Sequence, residues 1–426
     1  MGGSKVMNNL AGKRLLILGG SMWKEAIKSF AQEQGIVLIA AGLYHAGIFD
    51  IADESYIIDT IDPNVMETFV KEHQIDGVYM GGSELIINGA CTWVNNLGFP
   101  CYYTKEKWNF LQNKDNFKQL CRKYDLPVVL TFNSIGAVQS TDFPVIVKPV
   151  DGYGSRGVAY CRNKQELMEN YDNAQRISPS QQVIIEKQVN NDSIVPFYTI
   201  IDSKIELSLV EDNYAVKNMG GGSFTNALYI CNSNDTEAFQ QKFGTKIARM
   251  LSDIGITNGN VWFEVFKDGN NYYFNECGFR YAGHGSIYPV YFHSSINQVA
   301  MDMYFALTGK GRAFTMPQLV DTHDYKKYCI YPIHIRAGIV VECIGLEKVK
   351  SLPQVVVACQ QVHVGDEVKN ANAFSGIFAF VHFLYNTESE CKNTINQILS
   401  YVKVLDGDGK DLIWNSLDMD DVRIVY

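Results

Sequence analysis

Two apolar runs joined by an Asp-Gly turn, Val261-Trp262-Phe263-Glu264-Val265-Phe266 and Tyr272-Tyr273-Phe274-Asn275-Glu276, read as a β-hairpin. Each run carries one glutamate among mainly apolar neighbours. A three-residue loop of the glycine-and-bulge type sets Glu264 directly opposite Glu276, with β-carbons about 4.5 to 5.5 Å apart. Like charges at that range destabilise a hairpin unless a divalent cation sits between them, and this register suggests magnesium. A two-residue loop shifts the register by one and turns one glutamate to solvent. The spacing alone leaves both open.

A second constraint lies upstream. Val145-Ile146-Val147-Lys148-Pro149 is a strand with a lysine at its end, followed by Gly152, Gly154, Ser155 and Gly157. Glycines so spaced let backbone amides approach an anion and can cradle phosphates. The pattern is neither the P-loop, which ends in Gly-Lys-Ser/Thr, nor the dinucleotide fingerprint, since no helix begins directly behind it. A glycine-rich hairpin turn accounts for the glycines as well.

Around these motifs the chain alternates strands and helices. Residues 14–18 form an apolar run ending at Gly19-Gly20-Ser21, a helical period follows over 23–34, and further apolar runs at 36–41 and 77–80 alternate with helical segments near 65–73 and 85–97. This predicts a parallel α/β domain of roughly 100 residues. Gly19-Gly20 fits either strand-helix packing or a ligand. Helices are expected over 114–126, 164–174 and 235–254, with strands at 183–186 and on to Val210, so the middle of the chain is α+β in character. Strands at 328–335, 338–344, 355–362 and 376–384, then a helix over 389–402, predict a third, smaller α+β unit.

Composition excludes several classes. The formal charge is −9 with no lysine- and arginine-rich block, which argues against nucleic acid. No window approaches the roughly 18 apolar residues of a membrane span, and the amino terminus lacks the apolar core of a secretory signal. Ten scattered cysteines without a CxxC pair read as reduced thiols of a cytoplasmic protein.

Taken together, Lys114, the Lys148 strand with its glycine loop, Ile184-Ile185-Glu186-Lys187-Gln188-Val189, and Glu264 with Glu276 followed by Arg280 resemble the ATP-grasp superfamily, in its carboxylate-amine ligase and carbamoyl phosphate synthase-like branch. The resemblance implies α/β and α+β architecture: a Rossmann-like domain at 13–112, an ATP-grasp domain at 113–320 with a lid at about 140–190, and a small C-terminal α+β domain at 321–426. It further implies ATP and Mg²⁺ as cofactors. Lys114 and Lys148 would contact phosphates, with Gly152, Gly154, Ser155 and Gly157 covering them. Glu186, Lys187 and Val189 would form the hinge strand against adenine, with Phe266 beneath the ring. Asp192 stands where an acid for the ribose is expected, Glu264 and Glu276 would hold the metal, and Arg280 would steady the transferred phosphoryl group.

The implied activity is ligation of a small carboxylate to an amine through an acylphosphate, by an enzyme compatible with a homodimer. Bicarbonate chemistry and a non-catalytic ATP-binding role are the alternatives. The chain departs from the family at Gly278, where an asparagine usually adds a metal ligand. Three further features are open between substrate contact and a structural role: His284 in Gly283-His284-Gly285, the loop Gly220-Gly221-Gly222-Ser223, and Glu84 behind Gly81-Gly82-Ser83.

Overall fold

The computed structural model describes residues 10–151, 157–189, 192–216, 225–314, 327–371 and 373–417. The first hundred residues build a parallel sheet from β1 (Arg14–Ile17), β2 (Val37–Gly42), β3 (Glu54–Ile57) and β4 (Gly77–Tyr79), in the order β3-β2-β1-β4. Leu15, Leu16 and Ile17 are wholly buried, as expected of a central parallel strand covered on both faces. Helices α1 (Lys24–Gln34), α2 (Pro63–Glu72) and α3 (Glu84–Asn96) supply that cover. α2 starts on Asp62, whose carboxylate accepts from the amides of Asn64 and Val65, with Pro63 at the first helical position. The edge strand β3, Glu-Ser-Tyr-Ile, has no apolar run, which is why hydrophobic pattern alone missed it.

The turns after β1 and β4 touch. A β-carbon on Gly81, at φ +67°, would lie 2.6 Å from the Gly19 carbonyl carbon. Close backbone approach therefore accounts for the glycines at both turns.

Next come α4 (Lys105–Gln112), α5 (Lys114–Lys123) and a four-stranded antiparallel sheet of β5 (Thr131–Phe132), β6 (Val145–Pro149), β7 (Ala159–Cys161) and β8 (Val183–Lys187), ordered β5-β8-β6-β7. Helix α6 (Lys164–Ile177) packs Leu167 and Ala174 onto Val145, Val147 and Ile185.

The largest sheet has eight strands. It runs from β13 (Asn271–Gly278) through β12 (Gly259–Asp268), β9 (Ser193–Ile201), β10 (Lys204–Ala215), β11 (Asn226–Cys231) and β14 (Lys327–His334) to the strands Ile377–Tyr385 and Val355–Gln360. Tyr229 pairs with Ile330, so the sheet crosses from the middle of the chain into its last hundred residues. Helix α7 (Thr236–Asp253) sends Phe239 and Phe243 into the core with Phe263 and Phe274. Helices α8 (Ile287–Ser294) and α9 (Gln298–Thr308) lead back to the parallel sheet, where Ala306 meets Gly77 so closely that a β-carbon there would lie 2.3 Å from its carbonyl oxygen. The single strand expected at 338–344 is instead two short ones, Gly338–Ile339 and Glu342–Ile344, paired to different partners. All ten cysteines are free thiols. Among the described residues no helix is long and apolar enough to cross a membrane.

Candidate active site

The hairpin reaches the expected pairing by an unexpected route. Asp268 pairs with Asn271, so the loop is the two residues Gly269 and Asn270, and the register from there to Val265–Phe274 is the slipped one. A bulge then intervenes, and beyond it Glu264 pairs with Glu276 and Trp262 with Gly278. Asn275 is the extra residue. The three-residue loop is thus corrected to a two-residue loop plus a β-bulge, which cancels the slip and turns Asn275 inward as well.

Asn275 is buried, accepts from Lys148 Nζ at 2.8 Å through Oδ1, and donates from Nδ2 to Glu264 Oε2 at 2.5 Å. Burial, and then the facing Glu276, push the Glu264 carboxyl up to about 7, while Asn275, Lys148 and Lys114 pull the other way. A carboxyl so displaced favours an added positive charge. Among the described residues no third His, Cys, Asp or Glu joins the pair. Two carboxylates fit Mg²⁺, which commonly takes one or two from a protein and fills its sphere with phosphate oxygens and water. An asparagine at Gly278 would require the Trp262 ring to move, since a β-carbon there would lie 2.1 Å from it.

Facing the hairpin stand the lysines. The α5 cap, Asn113, accepts from the amides of Asp115 and Asn116, and the Lys114 amide donates to Val150, tying the helix start to the end of β6. Lys114 Nζ lies 3.9 Å from Glu276 Oε2. Lys148 is buried, and its ammonium is 2.7 Å from Glu186 Oε2. The other oxygen of Glu186 takes Lys118, itself only 1% exposed. The result is a lysine, carboxylate, lysine triad, in which burial, and then the neighbouring Lys148, draw the Lys118 pKa well below the ordinary lysine value. Burial draws the Lys148 pKa down to about 8, Lys114 adds to this, and Glu276 and Glu264 oppose it.

Lys118 was not anticipated. Its signal was present: it stands one turn after Lys114, between Phe117 and Cys121 on the apolar face of α5, where a lysine needs a partner.

Glu186, Lys187, Val189, Phe266, Lys114, Lys148, Glu264, Glu276 and Arg280 all line one cavity of about 1260 Å³. Lys187 directs its ammonium to the Asp142 carbonyl at 2.6 Å. Two expected residues lie apart from the lining. Asp192 uses its carboxylate to accept from the Ala215 amide at 3.1 Å, and Gly157, at φ +76°, is packed against Pro149 and Ile177. Gly152, Gly154, Ser155 and the 220–223 loop are outside the described residues.

Arg280 and Glu84, read separately in the sequence, meet: Arg280 donates to Glu84 Oε1 from Nη2 at 2.5 Å and from Nε at 3.1 Å, and its guanidinium sits 5.4 Å from the Trp262 ring centroid. His284 also lines the cavity, beside Tyr229 and Asn213. The cavity therefore presents lysines facing two carboxylates, the arrangement that a polyphosphate with a divalent cation needs, and on the same wall Arg280, Glu84 and His284.

Residues 113–283 match the family model described as the carbamoyl-phosphate synthase L chain, ATP binding domain. The formate-dependent phosphoribosylglycinamide formyltransferase of Histophilus somni (strain 129Pt) is 24% identical over 200 residues, 45% of this chain and 50% of that protein. The chain thus spans about half the length of the curated relatives it matches. The L-amino acid ligase of Bacillus licheniformis superposes with a TM-score of 0.71 at 17% identity, covering 93% of this chain and 99% of that one. The biotin carboxylase domain of the Hydrogenobacter thermophilus 2-oxoglutarate carboxylase, solved as a dimer with MgADP, ADP and bicarbonate, gives 0.71 at 15% identity over 94% of this chain and 96% of that one.

Proposed function

Because this chain has the ATP-grasp fold, with its ATP-binding unit matched over residues 113–283, we propose that it is an ATP-dependent ligase joining a small carboxylate to an amine through an acylphosphate, with release of ADP and phosphate. The observation that carries the reading is the meeting of Lys114, Lys148, Glu264, Glu276 and Arg280 around one cavity large enough for a nucleotide and a second substrate. In this reading residues 13–112, 113–320 and 321–426 are the three units of the enzyme, and a homodimer is compatible with it.

Phosphoryl transfer depends on positioning and charge neutralisation more than on covalent help from the protein. Lys148, held by Glu186 and Asn275, and Lys114 would bind phosphate oxygens. Val189, Lys187 and Phe266 would border the base. Glu264 and Glu276 would hold Mg²⁺, which when bound supplies charge neutralisation at those oxygens. Arg280, between Glu84 and Trp262, would steady the transferred phosphoryl group near the acceptor carboxylate. The mixed anhydride then activates the acyl carbon for the amine.

Bicarbonate is the second reading for the acid, because the Hydrogenobacter relative was solved with it. One experiment separates them: ADP and phosphate release with Mg-ATP, screened over amino acids and other small carboxylates paired with amines, with and without bicarbonate. Release that needs a particular acid and amine supports the ligase. Release that needs bicarbonate favours carboxylation, and nucleotide binding without turnover under every combination removes both.

A further inference from the structure

Around His284 stands a cluster that phosphate chemistry does not use. Glu211 on β10 is 0% exposed, accepts from His284 Nε2 at 3.2 Å through Oε2, and leaves its Oε1 without a partner among the described residues. Two residues along the same strand, and so on the same face of the sheet, Asn213 lines the cavity with a buried Oδ1 that has no partner among the described residues. Buried acceptors left open cost stability unless a donor arrives. Of the two, Asn213 is on the cavity wall, where its Oδ1 calls for a ligand with an N–H group.

His284 is held on several sides. Its ring stacks on Tyr229, with centroids 4.6 Å apart and planes 20° apart. Its carbonyl accepts from His382 Nε2 at 2.9 Å, and the other nitrogen of His382 meets the Tyr328 hydroxyl at 2.9 Å. Gly285, at φ +86°, lets the chain turn back there. In the tautomer that gives the Nε2 proton to Glu211 Oε2, Nδ1 is the ring nitrogen left to accept a proton, on a residue that lines the cavity.

Its distance from the two glutamates suits the second half of the reaction. Only β9 separates β10 from β12, so the backbone of Glu211 lies two strand spacings, about 10 Å, from that of Glu264. That span would accommodate a phosphoryl group at the glutamates and an acyl carbon reaching toward His284.

We infer that His284 is the base that takes the proton from the attacking amine, that Glu211 is its positioning residue, and that Asn213 Oδ1 accepts another N–H of the same amine. The inference rests on the ligase reading and deepens it. The nitrogen forms a C–N bond to the acyl carbon, the C–O bond to phosphate breaks with its electron pair leaving on inorganic phosphate, and the ammonium proton passes to Nδ1. The imidazolium so formed faces the Glu211 carboxylate.

Hydroxylamine provides the test, because its nitrogen is unprotonated at neutral pH and attacks acylphosphates without a base. With full-length protein, Mg-ATP and the acid and amine found by the release screen, His284→Asn should lose about 100-fold or more in amide kcat. It should keep hydroxamate formation and the KM for ATP within about threefold of wild type. Glu211→Gln, which keeps the shape and drops the charge, should show the same split at about 10-fold. Equal loss of amide and hydroxamate in a folded variant overturns the inference, as does unfolding of both variants, which would make the pair a structural strut. Failure of wild type to make either product sinks the ligase reading itself, and the inference with it.

Discussion

Glu264 and Asp302 are both raised to about 7, in each case mainly by burial, yet their surroundings differ in kind. Asp302 sits between the parallel sheet and the large sheet, where neutral donors surround it: the Tyr281 hydroxyl, the Tyr102 hydroxyl and Asn260 Nδ2 at 3.2 Å. Glu264 opens on the cavity and faces charges of both signs, Glu276 against it and Lys148 and Lys114 with it. A buried acid satisfied by neutral donors is complete and structural, whereas one opposed by a second carboxylate is complete only when a cation arrives. A displaced pKa does not by itself mark a functional group, and the company it keeps decides.

Removing charge from the hairpin should break the two cases apart most sharply. Glu276→Gln is expected to lower turnover by about 1000-fold or more with the fold intact, since several kcal/mol of transition-state charge stabilisation depend on the metal pair. Asp302→Asn should leave turnover within about threefold. Steady-state ADP release with circular dichroism as a fold check measures both, and normal activity in Glu276→Gln rejects the metal assignment.

Lys148→Ala comes next in size. Its ammonium meets ground state and transition state alike, so ATP affinity and kcat should fall together, about 10- to 100-fold in kcat/KM for ATP. Calorimetric titration giving wild-type nucleotide affinity would remove Lys148 from the phosphate site.

The smallest effect concerns stability. A folded-state carboxyl near 7 keeps a proton that the unfolded chain releases near the ordinary value, so stability falls as pH rises between those two values. Glu264→Gln removes that loss. The variant should match wild type near pH 4 in denaturant midpoint and exceed it at pH 8 by on the order of 1 kcal/mol, because the open cavity screens part of the charge. Saturating Mg-ADP should erase the gain of Glu264→Gln while leaving the pH slope from Asp302 in place. A gain that persists with Mg-ADP would mean that Glu264 is a structural acid like Asp302.

Much of this was legible in the chain. Apolar runs of four to six residues, helical periods and turn residues act over about ten positions, and they located the strands of the parallel sheet other than β3, the Lys148 strand, helices α5 to α7 and the hairpin with its two glutamates. Motif order then gathered Lys114, Lys148, Glu186, Glu264, Glu276 and Arg280 into one expected site.

Other relations depend on contacts between segments far apart in sequence, and no local pattern encodes them. The bulge at Asn275 shows in neither composition nor period; it lies in the β12–β13 pairing alone, since the β12–β9 register runs through the same stretch without a shift. Lys118 finds Glu186 across 68 residues, Arg280 finds Glu84 across 196, and His284 finds Glu211 across 73. Residue types and spacing determined which charges this chain carries and which strands and helices bear them. Which charges neutralise one another, and which are left facing the cavity, was decided only when three sheets came together, since burial sets the worth of a charge and burial is a property of the folded chain.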